Sequence, residues 1–229
     1  MMKNVNLKKY AAAAMAAAMI PAAMAPIVSE AATPAEKVEL FEHAGFTGGS
    51  VTLGKDVNKN GMTNYFYWEK KGTFENANDS VSSVKVPAGY KVTLYNDIEG
   101  GGSTFVLTED TSAIELSHNG FNDKASSAKV EKIENVVFFE DGYSKGKSST
   151  VTITDETLNK ILAIDGTIAI DGTIANDGLS SIQIPAGYKV TLYEHYNGGG
   201  DFVELDHSRN FVGEFNDKAS SFKIEKLAE

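Results

Sequence analysis

Asn122-Asp-Lys-Ala-Ser-Ser127 is the string on which the reading of this chain turns, because the chain repeats it. Asn78-Asp-Ser-Val-Ser-Ser83, Asn176-Asp-Gly-Leu-Ser-Ser181 and Asn216-Asp-Lys-Ala-Ser-Ser221 share its form, Asn-Asp-x-x-Ser-Ser. Two of the copies sit in longer matches. Ser83-Val-Lys-Val-Pro-Ala-Gly-Tyr-Lys-Val-Thr-Leu-Tyr95 returns as Ser181-Ile-Gln-Ile-Pro-Ala-Gly-Tyr-Lys-Val-Thr-Leu-Tyr193, and Phe121–Ser127 returns as Phe215–Ser221. The chain is therefore an internal duplication, with one copy over 37–133 and the other over 135–227. Each copy is itself double, since the hexapeptides lie 44 residues apart in the first and 40 in the second.

The stretches between the hexapeptides read as strands. Val38–Phe41, Val51–Leu53, Lys91–Tyr95, Thr104–Leu107 and Val203–Leu205 are short, β-branched or aromatic, and partly alternating. Glycine clusters at Gly48-Gly49, Gly100–Gly102 and Gly198–Gly200 separate them, and Pro87-Ala-Gly and Pro185-Ala-Gly mark turns. About four strands per hexapeptide unit make one Greek key, and two keys make one β-sandwich. The expected fold class is all-β: two Greek-key sandwiches behind an N-terminal leader. Thr154–Leu162 carries the one helix-like pattern, with Thr154 or Asp155 as its N-cap.

These residues resemble the βγ-crystallin family, in its microbial calcium-binding branch. That family carries the hexapeptide once per Greek key, with a hairpin of the form aromatic-x4-aromatic-x-Gly. Phe41-Glu-His-Ala-Gly-Phe46-Thr-Gly48 matches the hairpin fully. Tyr95 and Tyr193 keep the first aromatic while Gly100 and Gly198 replace the second, and Phe138 or Phe139 with Tyr143 and Gly146 matches loosely. The resemblance implies paired Greek keys with two calcium sites per domain. Each site would take a hairpin backbone carbonyl and the second Asp side chain from one key, and the third-position carbonyl and fifth-position hydroxyl from the other. Carried onto this sequence, the sites are Glu42, Asp79, Lys124 and Ser126, then Asn96, Asp123, Ser80 and Ser82. In the second copy they are Glu140, Asp177, Lys218 and Ser220, then Glu194, Asp217, Gly178 and Ser180.

The chemistry points the same way. Calcium accepts six to eight oxygen ligands in loose geometry, carbonyls included. Cysteine is absent and there are only four histidines, so soft and borderline metals have little to hold. One carboxylate per site suggests an affinity on the order of 10⁻⁶ to 10⁻⁴ M. A single hexapeptide of this type reads as an Asx turn without metal. Four of them, at the phase of Greek keys, point to metal.

Residues 1–32 read as a signal peptide. Lys3, Lys8 and Lys9 precede an uncharged Ala/Met-rich run, and small residues follow around Ser29, Ala31 and Ala32. Pro21 and Pro26 argue against a retained membrane span. The expected location is extracellular, whether released or held at a cell wall. Residues 1–32 hold three of the 21 basic and one of the 31 acidic residues, so the remainder carries a formal charge of −12. Such acidity disfavours nucleic acid as a partner. There is no Gly-x-Ser-x-Gly elbow, no His-Glu-x-x-His and no phosphate loop ending in Lys-Ser/Thr, so the chain does not read as an enzyme. The expected function is a calcium-binding structural or stability protein. The alternative is a recognition module on the same fold (lectin-like, a protease inhibitor or a toxin), which the aromatic run Tyr65–Trp68 would serve and whose protein or glycan partner the sequence does not name. The six-residue period within Ile164–Gly178 reads as a lengthened loop or, as the sharper option, a small calcium-binding coil.

Overall fold

The computed structural model describes residues 37–53, 62–64, 67–70, 73–164, 170–172 and 174–228. The leader reading of 1–32 lies outside them, as do the side chains of Tyr65–Trp68 and much of the Ile164–Gly178 period.

Among the described residues the first copy forms nine strands: β1 (Val38–His43), β2 (Thr47–Leu53), β3 (Met62–Asn64), β4 (Tyr67–Lys70), β5 (Thr73–Asn76), β6 (Ser83–Lys85), β7 (Tyr90–Tyr95), β8 (Thr104–Leu107) and β9 (Ser127–Lys132). The second forms eight: β10 (Val136–Asp141), β11 (Lys145–Val151), β12 (Ile161–Ala163), β13 (Ile170–Gly172), β14 (Ser181–Gln183), β15 (Tyr188–Tyr193), β16 (Phe202–Leu205) and β17 (Ser221–Lys226). All five stretches read as strands from the sequence lie within these elements.

The sheets run β5-β4-β2-β1-β6 and β3-β9-β7-β8 in the first copy, and β13-β11-β10-β14 and β12-β17-β15-β16 in the second. Every named pairing within them is antiparallel. The order carries the Greek-key signature. The third strand of the first key, β3, leaves its own sheet and pairs with β9 of the second key. The second key returns the exchange where Thr111 bridges Val84 of β6. In the second copy β12 pairs with β17, and Arg209 bridges Ile182 of β14. Each sandwich is thus two interlocked keys.

Alternation along the strands fills two cores. Val38, Leu40, Val92, Leu94, Phe105, Leu107 and Val130 point into the first. Val136, Phe138, Ile182, Ile184, Val190, Leu192, Phe222 and Ile224 point into the second. Phe138 and Phe222 come from opposite sheets and meet edge-to-face with centroids 4.8 Å apart.

One local expectation needs correction. Thr154–Leu162 forms no helix. Thr154 does cap a turn, its hydroxyl accepting the Glu156 N–H and its carbonyl the Thr157 and Leu158 N–H groups. Beyond the turn Leu158 bridges Ile224 and Ile161 begins β12, so sheet pairing overrides local propensity. The helix lies elsewhere, at α1 (Ala113–His118), where Ser112 and Glu115 form a reciprocal capping box. No helix among the described residues is long and apolar enough to cross a membrane.

Truncating Phe222 to Ala removes one half of the central aromatic pair of the second core. The expected cost is about 3–5 kcal/mol, read as a lowered urea midpoint for the second domain. A midpoint unchanged from that of the parent protein would contradict the packing described.

Candidate metal centres

The hexapeptides work in pairs across each sandwich. The second-position aspartates Asp79, Asp123, Asp177 and Asp217 all adopt left-handed backbone, with φ between 53° and 57°. Asp and Asn tolerate that region better than most residues. There each N–H reaches the fourth-position carbonyl of the opposite hexapeptide. Asp79 donates to Ala125 and Asp123 to Val81; Asp177 donates to Ala219 and Asp217 to Leu179. The preceding asparagine steers each carboxylate, its Nδ2 donating to the Asp Oδ2 at 2.6–2.8 Å in all four copies. In Asp79, Asp123 and Asp177 the Oδ1 faces the partner key, and all four aspartates are exposed to solvent.

The fifth-position serine meets that Oδ1. Ser126 Oγ donates to Asp79 Oδ1 at 3.2 Å and to the Asn96 carbonyl at 2.9 Å. Ser220 Oγ repeats the arrangement with Asp177 Oδ1 at 3.0 Å and the Glu194 carbonyl at 2.7 Å. Ser82 Oγ donates to Asp123 Oδ1 at 2.8 Å. The Ser126 and Ser220 clusters gather oxygens of carboxylate, hydroxyl and carbonyl type within van der Waals reach of one another, and the Ser82 cluster joins hydroxyl to carboxylate.

This grouping corrects one feature of the sequence reading, which placed Glu42 with Asp79 and Ser126, and Asn96 with Asp123 and Ser82. The hairpin residues are exchanged: Asn96 joins Asp79 and Ser126. In the second copy Glu194, not Glu140, joins Asp177 and Ser220. The reason is register. Each fifth-position serine pairs through its own N–H with its own key's hairpin strand: Ser82 to Phe41, Ser126 to Tyr95, Ser180 to Phe139 and Ser220 to Tyr193. Its hydroxyl therefore lies beside the next carbonyl of that same key. By the same register Glu42 goes with Ser82 and Asp123, and Glu140 goes with Ser180 and Asp217. Lys124, Ser80, Lys218 and Gly178 directly precede the carbonyls that accept the N–H groups of Asp79, Asp123, Asp177 and Asp217.

The side chains of the hairpin residues are turned to other work. Glu42 accepts the Gly49 N–H, Asn96 the Ser103 N–H and Glu194 the Asp201 N–H, each seven residues on. For Asn96 and Glu194 it is the main-chain carbonyl that is directed at the cluster.

Sequence reasoning overlooked the sixth-position serines. Ser83, Ser127, Ser181 and Ser221 are fully buried. Their hydroxyls donate to His43, Asp97, Asp141 and His195 carbonyls at 2.6–2.7 Å. They accept the N–H of Phe46, Gly100, Ser144 and Gly198 at 3.0–3.1 Å. These four acceptor-clamped positions share left-handed φ, from 56° to 76°. That explains the hairpin departures: Phe46 is the aromatic of the full pattern, and glycine at 100 and 198 relieves its strain. It also shows that Ser144, not Tyr143, stands where Phe46 does. The signal was in the sequence, in a sixth position that is serine in all four copies.

The donor set fits a hard cation. Oxygen is the only donor type present, with one carboxylate per cluster. The Oδ1 atoms of Asn122, Asn176 and Asn216 are buried at the rims and accept no hydrogen bond. Among the described residues no three His, Cys, Asp or Glu side chains gather as a metal site, so the clusters depend on carbonyl and hydroxyl oxygens. A cleft of about 370 Å³, lined in part by Ser82, Ser117, His118 and Asn122, opens onto the Asp123 cluster.

This chain resembles the microbial βγ-crystallins. Solved structures similar to it include a βγ-crystallin domain from Clostridium beijerinckii, at 25% identity over 39% of this chain and 95% of that one, with a TM-score of 0.32. A βγ-crystallin domain from Flavobacterium johnsoniae is 22% identical over 41% of this chain and 97% of that one, with a TM-score of 0.34. Protein S complexed with calcium is 22% identical over 83% of this chain and 99% of that one, with a TM-score of 0.32. No protein-family profile and no curated protein matches the sequence.

Replacing Ser127 with Ala strands the Gly100 N–H and the Asp97 carbonyl. The expected loss is about 1–3 kcal/mol in urea unfolding. Wild-type stability in this variant would show that the clamp contributes nothing.

Proposed function

We propose that this protein is a secreted calcium-binding structural module whose sandwiches are stabilised by calcium held between their paired keys. The observation that carries the reading is the oxygen cluster at Ser220, its hydroxyl set between Asp177 Oδ1 and the Glu194 carbonyl, and its recurrence at Ser126. A hydroxyl between two oxygens can turn its proton outward and offer its lone pairs to a cation. The carboxylate and the carbonyl are then already in place. Because the two keys supply different ligands, calcium would link them and add to stability by mass action. The leader-like residues 1–32 support export to a medium where calcium is abundant. The acidity of the remaining chain favours cations in general and disfavours nucleic acid. Catalysis has no part in this reading.

Calorimetric titration of the protein with calcium should find two to four sites. A thermal melt in calcium should lie above one in chelator, each site adding about 2.7 kcal/mol at 100 times its Kd. Ser126→Arg and Ser220→Arg should each remove one site. No heat and no thermal shift would mean that the four hexapeptides are turns alone.

A further inference from the structure

Asn210 is 2% exposed and stands where the two domains meet. Its Oδ1 accepts the Thr108 N–H at 3.1 Å and the Thr108 hydroxyl at 3.0 Å. Its own N–H donates to Glu109 Oε1 at 2.8 Å. Thr108 and Glu109 belong to the first domain. The Asn210 carbonyl points the other way, accepting the Tyr143 N–H at 2.8 Å. Tyr143 lies in the β10–β11 hairpin, three residues after Glu140. The residues beside Asn210 hold the end of the facing hexapeptide and the residue after it: the Val212 N–H donates to the Ser180 carbonyl, and Arg209 exchanges both backbone bonds with Ile182. One short segment therefore touches the first domain, the hairpin that carries Glu140 and the backbone of Ser180.

Tyr143 makes a second link. Its φ of 58° is left-handed, at a hairpin position held elsewhere by Gly45, Glu99 and Asn197. An aromatic residue in that region costs on the order of 1–2 kcal/mol. The ring is held by the first domain, 5.1 Å from the Phe105 ring and against that domain's core. Lys145, from the same hairpin, places its ammonium 5.4 Å from the other contact of that ring, the Phe105 centroid. Burial pushes the Tyr143 phenol up, Glu115 and Glu109 add to that, and a hydrogen bond with Asn119 acts against it. Partners from the first domain thus hold a strained hairpin of the second. Among the described residues the first domain shows no matching tie on its own hairpin: Ser112, which follows the Thr111–Val84 bridge as Asn210 follows Arg209–Ile182, is committed to capping α1.

We propose that docking of the first domain through Asn210 and Tyr143 sets the calcium affinity of the Glu140–Ser180–Asp217 cluster, and that calcium there tightens the docking in return. The proposal rests on the calcium reading above. Coupling of this kind is reciprocal by thermodynamic necessity. Asn210 acts as a positioning residue: it fixes the hairpin that presents the Glu140 carbonyl, and it fixes the strand beside Ser180.

The test is calorimetric calcium titration of the full-length protein carrying Thr108→Val or Asn210→Ala, alone and combined with Asp217→Ala. Thr108→Val is nearly isosteric and guards against loss of folding in the Asn210 variant. Each should weaken one site by about 5-fold or more and leave the others unchanged. In the Asp217→Ala background neither should change the remaining sites, an outcome that general destabilisation would not give. Hydrogen exchange supplies a second readout. Calcium should slow exchange at the Thr108 amide in the parent protein and not in Asp217→Ala. Parent-like affinities in both variants, or a Thr108 amide indifferent to calcium, would overturn the coupling. Absence of calcium binding to the parent protein would instead overturn the reading beneath it.

Discussion

The backbone bond from each left-handed aspartate to the opposite hexapeptide is the constraint on which the rest depends. It locks two Greek keys face to face at a fixed register, through Asp79 to Ala125 and Asp123 to Val81, then Asp177 to Ala219 and Asp217 to Leu179. Once that register is set, the fifth-position hydroxyl must lie near the partner's carboxylate. The sixth-position hydroxyl must fall inside the sandwich, where the hairpin closes over it. Cluster, clamp and core entry are three consequences of one backbone geometry. A single residue out of register would turn the buried serine outward and the following core residue with it.

Most of the fold was legible because duplication displayed it four times. Asn-Asp-x-x-Ser-Ser set the number of keys, and the alternating stretches between copies set the strands. The choice of hairpin partner was not legible. It depends on whether Ser126 pairs with Tyr95 of its own key or with Phe41 of the other, and spacing along the chain does not distinguish the two. Thr154–Leu162 misled for a different reason: its caps are real, yet Ile224 and Lys223 draw Leu158 and Ile161 into a sheet. The α1 helix could have been found, since Ser112-Ala-Ile-Glu115 is a capping box in plain sight. Asn210 could not, because its partners Thr108 and Glu109 are about a hundred residues away and share no motif with it.

The clusters also account for the unusual economy of charge at the candidate sites. The protein is strongly acidic, yet each cluster contains one carboxylate. Its other oxygens are carbonyls and hydroxyls that the fold has already positioned. Two carboxylates forced together would repel in the absence of a cation and destabilise the unbound sandwich. Neutral oxygens carry no such penalty. Fewer carboxylates also mean a lower charge to attract any cation the clusters hold.

Duplication produced equivalent halves, and divergence made them complementary. Where the domains touch, Gly89 of the first Pro-Ala-Gly turn lies so close to Ala186 of the second that a Cβ would meet the Ala186 nitrogen at 2.5 Å, whereas the equivalent Gly187 faces open space. The contact is therefore heterologous: one face of the first domain meets a different face of the second. Heterologous faces on a duplicated chain could in principle propagate into filaments. Here the residues that make the contact are not repeated. Tyr143, Lys145 and Asn210 have Gly45, Thr47 and Ser112 as counterparts in the first domain, while Phe105, Thr108 and Glu109 have Val203, Asp206 and His207 in the second. The ring contact, the buried amide and the ion pair between Arg209 and Glu109 can each form only once per chain. Divergence at these few positions turns a face that could recur into one that closes within the molecule.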